Sequence, residues 1–440
     1  MSSPPGEASA LPGPDAAAAA GPGRIVGLDL ARFVAIAGMI ATHTWLYADM
    51  PSGERIAGSA LFDGRASALF AVLAGVGIVL STRVAVASGR VGSARMMLLG
   101  RGAALIALGL TLDLVDVRLL VILVYYGVMF WLIAPLLTVP TWVLAVVTGV
   151  VAVGAPVLAW LVALWSAPSI GAARAAGEHV VSGNVSWADL GDPVGVLREV
   201  LFTGSYPAII WLAYGLGGVL IGRAVVRIRS VAALRSVGVR VALAGGAVWV
   251  LGIVVSLLVL GPVGAAAGVA ADARIPASQG LGLLLQSGSG HPSASSAWYL
   301  LTPAAHTGST VDLLLTGGFA VTAVGVLMLV GSVLGLLAQR ILTPVIGAGR
   351  APLTSYTAHV LLVAVVTGLL LPAPWSSLSY ADYVALGTPW YLSSFGMFAL
   401  NLGLVLVIGT VLVLLGRRGP LEFCVTWAGR AAGGLVKARR

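Results

Sequence analysis

Ten apolar runs of roughly 20 residues divide the chain, at approximately 28–48, 65–83, 96–114, 119–139, 141–165, 205–222, 241–262, 311–335, 352–373 and 389–415. A run of that length with few charges is long enough to cross a bilayer. No water pairs with backbone N–H and C=O groups inside a bilayer, so each run closes its own hydrogen bonds as a helix. The expected fold class is all-α, a polytopic membrane protein of about ten transmembrane helices. With 59% hydrophobic and 9% charged residues and a mean hydropathy of +1.01, a soluble domain with a large core is excluded. The run at 96–114 is the weakest, being short and followed by Asp113 and Asp116.

The net charge of +9 would suit a nucleic-acid partner if it lay on a polar domain. Here the basic residues cluster at the ends of apolar runs, which indicates a lipid bilayer and no nucleic acid. With the N-terminus inside, 19 of the 25 basic residues fall on inner segments. Only Arg55, Arg65, Arg118, Arg174, Arg198 and Arg274 fall elsewhere. That bias predicts an even number of spans, both termini cytosolic and His43 toward the outer face. Residues 1–23, rich in Pro, Ala and Gly, read as a disordered cytosolic tail. Residues 24–418 read as the transmembrane domain and 419–440 as a basic cytosolic tail. The single Cys424 leaves no intramolecular disulfide and no cysteine metal cluster, and no metal is expected. Abundant Ala, Gly and Arg beside a single lysine, Lys437, point to a GC-rich bacterial genome and a bacterial plasma membrane.

The first run, RIVGLDLARFVAIAGMIATHTWLY, carries Asp29, Arg32 and His43 among apolar residues. A charge at bilayer depth costs about 2.5–3.5 kcal/mol on insertion scales, so such groups face a protein interior or a watery cavity. At ~100° per residue the three fall within about 60° of one another on the helix wheel. Asp29 and Arg32, at i,i+3, can also neutralise each other. The imidazole of His43 can act as a general base near neutral pH, or simply sit at the interface beside Trp45 and Tyr47.

Asp63 and Arg65 open the second run, where Asp63 could orient an imidazole and Arg65 hold an anion; the plainer reading of Asp63 is a carboxylate at a helix N-terminus. Gly64, Ala68, Ala71 and Gly75 form a small-residue stripe for close helix packing. Tyr125, Tyr126, Tyr206, Trp211 and Tyr214 are interfacial or packing aromatics that could also line a sugar-sized cavity. Ser309 and Asp312 have capping-box spacing, and His306 just before them is a further catalytic candidate. Ser355 and His359, at i,i+4 near the inner end of the ninth run, either bond between helices or touch a donor entering from the cytosol. Two long outer segments, roughly 166–204 and 263–310, have the length of functional loops. A phosphate-binding P-loop, an HExxH zinc motif and a GxSxG elbow are all missing, which leaves ATPase, metalloprotease and serine hydrolase chemistry unsupported.

RIVGLDLARFVAIAGMIATH resembles the R-x-x-x-LD-x-x-R-G opening of the multi-pass acyltransferases related to heparan-α-glucosaminide N-acetyltransferase and to the YeiB-like bacterial membrane proteins. FDGRASALFAVLAGVGIVL resembles their second helix, VYYGVMFWLIAPLL their fourth, and GRAPLTSYTAHVLL their late G-R-x-x-L-T-x-Y segment. The resemblance implies transfer of an acyl group, commonly acetyl from acetyl-CoA, to a sugar amine or hydroxyl across the membrane. Phe33 replaces the usual glycine, and Ser59 stands about where the glucosaminide enzymes carry a catalytic histidine. His43 occupies a position where those enzymes often have asparagine, so it would have to supply the base.

The expectation is therefore an acyltransferase taking acyl-CoA from the cytosol and modifying an extracytoplasmic sugar or glycolipid, possible also as a homo-oligomer. His43 would be the base, tuned by Asp63 or Asp29. Arg32, Arg65, Tyr125, Tyr206, His306 and His359 would bind substrate. The rival is a transporter or lipid flippase with the same stripe along a solute path.

Overall fold

The computed structural model describes residues 24–44, 62–115, 119–374, 377–387, 389–391 and 395–435. Among them there are helices and turns and no strand. Among the described residues nine helices are long and apolar enough to cross a membrane, and the protein is a multi-pass membrane protein of the expected all-α class. They are α1 (Val26–Thr44), α2 (Arg65–Ala87), α3 (Val91–Leu112), then α5 (Thr141–Ala175), α6 (Ala208–Val225), α7 (Val231–Leu260) and α8 (Thr310–Val333). After the short α9 (Thr343–Arg350) come α10 (Pro352–Leu370) and α11 (Phe395–Leu414). The run at 96–114, marginal by composition, is one of the nine.

The tenth apolar run folds differently. Only Leu123–Ile133 is α-helical (α4), continued by a 3-10 turn over Ala134–Thr138. Eleven α-helical residues cover about 16 Å, well short of the ~30 Å hydrocarbon thickness. Residues 119–122 precede the helix as irregular backbone, which is tolerated in a membrane protein only where protein satisfies it. Asn184 does so from the 166–204 segment, accepting from the Val121 N–H at 2.7 Å and donating to the Leu119 carbonyl at 2.9 Å.

α1 is the central post, packed against α2, α8, α9, α10 and α11. The small-residue stripe acts as expected. A Cβ at Gly75 would strike the Gly215 carbonyl, and one at Gly218 the Val72 carbonyl, so α2 and α6 touch backbone to backbone. At about 52 Å, α5 is too long for the bilayer alone, so the 166–204 segment begins as a helix rather than a loop. The 263–310 segment contains short helices at Ala265–Ala273 and Ala277–Leu284 over its own small apolar cluster of Val259, Ala265, Val269 and Leu284.

The C-terminal region departs from the expected tail. Pro420–Gly434 forms α12, which packs on α3 and touches α10. Glu422 on α12 caps α10, accepting from Leu353 N–H at 2.6 Å, Thr354 N–H at 3.1 Å and the Thr354 hydroxyl at 2.6 Å. Residues 1–23 and 436–440, expected as tails, and Trp45, Tyr47 and Ser59 lie outside the described residues.

Candidate functional site

A cavity of about 900 Å³ runs through the bundle. One end is lined by Arg32 of α1, Arg101 of α3, Arg350 of α9 and Arg418, just before α12. Arg32 is held by Asp29 at 2.9 Å, and Arg101 lies 5.9 Å from the Phe130 ring centroid. Glu422 also lines this mouth, but its carboxylate is spent on the α10 N-terminus. The mouth is therefore strongly cationic. Phe70, Leu73, Ala74, Leu105 and Phe130 make the apolar middle.

The other end holds His43, Asp63, Tyr206, Ser287, Gly290 and His306. Nδ1 of His43 lies 3.0 Å from Nε2 of His359, with the rings 13° from parallel and their centroids 5.2 Å apart. Nδ1 of His359 lies 2.8 Å from Oδ1 of Asn401 on α11. His359 and Asn401 are wholly buried behind His43.

Asp63 forms a second constellation, just ahead of α2. Its Oδ1 is 3.3 Å from Nε2 of His306, and its Oδ2 accepts from the Ser287 hydroxyl at 2.9 Å. His306 has φ 57°, a left-handed conformation uncommon for a side-chain-bearing residue. Its carbonyl takes the Gly290 N–H at 2.6 Å, and its ring meets Tyr206 edge-on, centroids 6.2 Å apart. Half of the expected capping box forms below it: Ser309 Oγ accepts from Asp312 N–H at 3.0 Å, while the Asp312 carboxylate takes the Thr307 and Gly308 N–H groups at 3.1 Å each instead of that of Ser309.

Of the expected site residues, His43, Asp63, Arg32, Tyr206 and His306 line the cavity. Asp29, Arg65, Tyr125 and His359 do not, and Asp63 has a different partner from the one expected. Asp29 pairs with Arg24 and Arg32, fourteen residues and about 21 Å along α1 from His43, too far to tune the imidazole. Asp63 does orient an imidazole, but that of His306. Arg65 stacks on Phe319 at 5.3 Å, away from the cavity wall. Tyr125 is buried, its hydroxyl donating to the Gly183 carbonyl at 2.8 Å, and Tyr126 takes the lining position. His359, expected near an entering donor, backs His43 because α10 crosses α1 there.

Sequence reasoning passed over Asn401, Arg350 and Arg418 as site residues. Asn401 had a signal: it is the lone amide in the apolar run FGMFALNLGLVLVIGT. The arginines counted toward topology, and nothing in their spacing shows that they converge. Compared with protein-family models and with curated proteins, the sequence matches none.

Proposed function

We propose that the chain is an acyltransferase that works across the membrane of a bacterial cell. It would move an acyl group, acetyl first among candidates, from acyl-CoA at the arginine mouth to an amine or hydroxyl of a sugar or glycolipid at the histidine end. The observation that carries this reading is one cavity joining four arginines to two histidine constellations. Guanidinium groups suit phosphates by charge and by their forked donors, which fits the nucleotide end of CoA. From Arg32 to His43 is about 16 Å along α1, within the span of an extended pantetheine arm. Hydroxyls, Asp63 and aromatic edges at the far end suit a neutral or cationic sugar.

In the reaction, the acceptor nitrogen or oxygen attacks the thioester carbonyl carbon while His43 takes its proton. The C–S bond breaks, and the thiolate leaves with that proton as free CoA thiol. N–H or O–H donors at the histidine end would steady the oxyanion that forms in between.

The test is reconstitution in sided vesicles with labelled acetyl-CoA on one face and glucosamine on the other. Transfer is expected only with the donor at the arginine face. Donor on the acceptor's own side working equally well would sink the cross-membrane route. Solute movement without any acyl donor would instead make the protein a transporter.

A further inference from the structure

The chain of contacts behind His43 has a direction, and a single backbone carbonyl sets it. Asn401 Nδ2 donates to the Met397 carbonyl, one turn earlier in α11, at 2.9 Å. A carbonyl only accepts, so the amide cannot be turned round without setting two oxygens against each other. Oδ1 of Asn401 therefore faces His359, and it too only accepts, so Nδ1 of His359 carries the hydrogen. A neutral imidazole has one N–H. Nε2 of His359 is then a lone pair, and it accepts from Nδ1–H of His43. His43 is left with a bare Nε2, the nitrogen turned away from His359.

From this geometry we infer that His359 and Asn401 are positioning residues that fix the tautomer of His43, so that it meets the acceptor with Nε2 free to take a proton. A neutral histidine side chain in water prefers its hydrogen on Nε2, the tautomer in which that nitrogen cannot act as a base. The buried relay reverses that preference. It links α1, α10 and α11 through three side chains, two of them wholly buried. Its catalytic consequence rests on the acyl-transfer reading; the tautomer itself does not.

The chain has five histidines, so ring-15N-histidine labelling gives a spectrum in which each tautomer can be read, with His43→Gln identifying the His43 signals. In the wild type, His43 and His359 should both show a protonated Nδ1 and a bare Nε2. Asn401→Leu removes the acceptor at nearly constant volume. His43 should then shift toward Nε2–H, and kcat should fall on the order of 10²-fold, the scale of general-base loss, with the KM for donor little changed. Nε2–H on His43 in the wild type overturns the inference, whether or not the leucine variant folds. An unchanged His43 tautomer in folded Asn401→Leu overturns it as well. The expected tautomer in a protein that transfers no acyl group keeps this inference and removes the acyltransferase reading.

Discussion

Asp29 is 1% exposed and lies between two guanidinium groups, so removing its charge would leave Arg32 in the bundle without its carboxylate. Breaking a buried ion pair by deleting one partner costs about 3–5 kcal/mol; the solvent access of Arg24, 48% exposed, places this cluster below that range. Asp29→Asn is expected to lower the thermal midpoint in detergent clearly, and Arg24→Gln hardly at all. Equal midpoints for both variants would show that the carboxylate does not organise the pair. His43→Gln should do the opposite. A glutamine amide can still donate toward His359, so the midpoint should hold while transfer falls by about 10²–10⁴. The stripe that joins these residues was readable, because it follows from 3.6-residue periodicity alone. The pairing of His43 with His359 was not. It depends on where α10 crosses α1, 316 positions away in sequence, and a single sequence does not encode that distance locally.

Residues 119–122 depend on Asn184, and this dependence shows what the apolar runs could and could not convey. The run at 119–139 was evident from hydropathy, but its non-helical start is satisfied by a side chain some 60 residues away. Asn184→Leu would strip partners from the Val121 N–H and the Leu119 carbonyl, at about 1–3 kcal/mol per buried group. A lower thermal midpoint and faster proteolysis near residue 120 are expected; an unchanged midpoint would mean that water replaces both bonds. The same 166–204 segment carries Glu199, 4% exposed, at the start of a π-helical turn that sets Gly204 and the cavity-lining Ser205 and Tyr206. Burial pushes its carboxyl above the ordinary value of 4.5, against the pull of the Gly183 N–H, the Thr203 hydroxyl and Arg198. The folded chain thus holds this proton more tightly than the unfolded chain. The ionised carboxyl subtracts stability as pH rises from the unfolded value through the higher folded one, and below the unfolded value that penalty is absent. Relative to Glu199→Gln, the wild-type midpoint should therefore fall as pH climbs through that window. Parallel curves for the two proteins would remove Glu199 as the source.

At the scale of the whole molecule, the positive charge has two consequences, one for orientation and one for the cavity. Arg24 and Arg32 at the start of α1, Arg350 at the end of α9 and Arg418 before α12 gather on one face, although they are far apart in sequence. Residues near the two ends of the described chain thus share a face, which nine long helices alone would not give; the short run of α4 and its 3-10 turn has to count as the tenth crossing. The count of basic residues made that face legible, because the bias acts on each loop separately. The cavity was not legible, since its walls come from helices whose order in space the sequence does not state. If the basic face is cytosolic, Ser230 before α7 is inside and Ser295 in the 263–310 segment is outside, and both are exposed. Single cysteines at these positions, in a Cys424→Ser background that removes the only native thiol, turn this into a labelling experiment. An impermeant thiol reagent should modify Ser295→Cys in intact cells and Ser230→Cys only after permeabilisation. The reverse pattern would put the arginine mouth outside, where no CoA is made, and the acyl donor would lose its route to His43. Equal labelling of both before permeabilisation would mean mixed orientation, and the charge bias would then not set the topology.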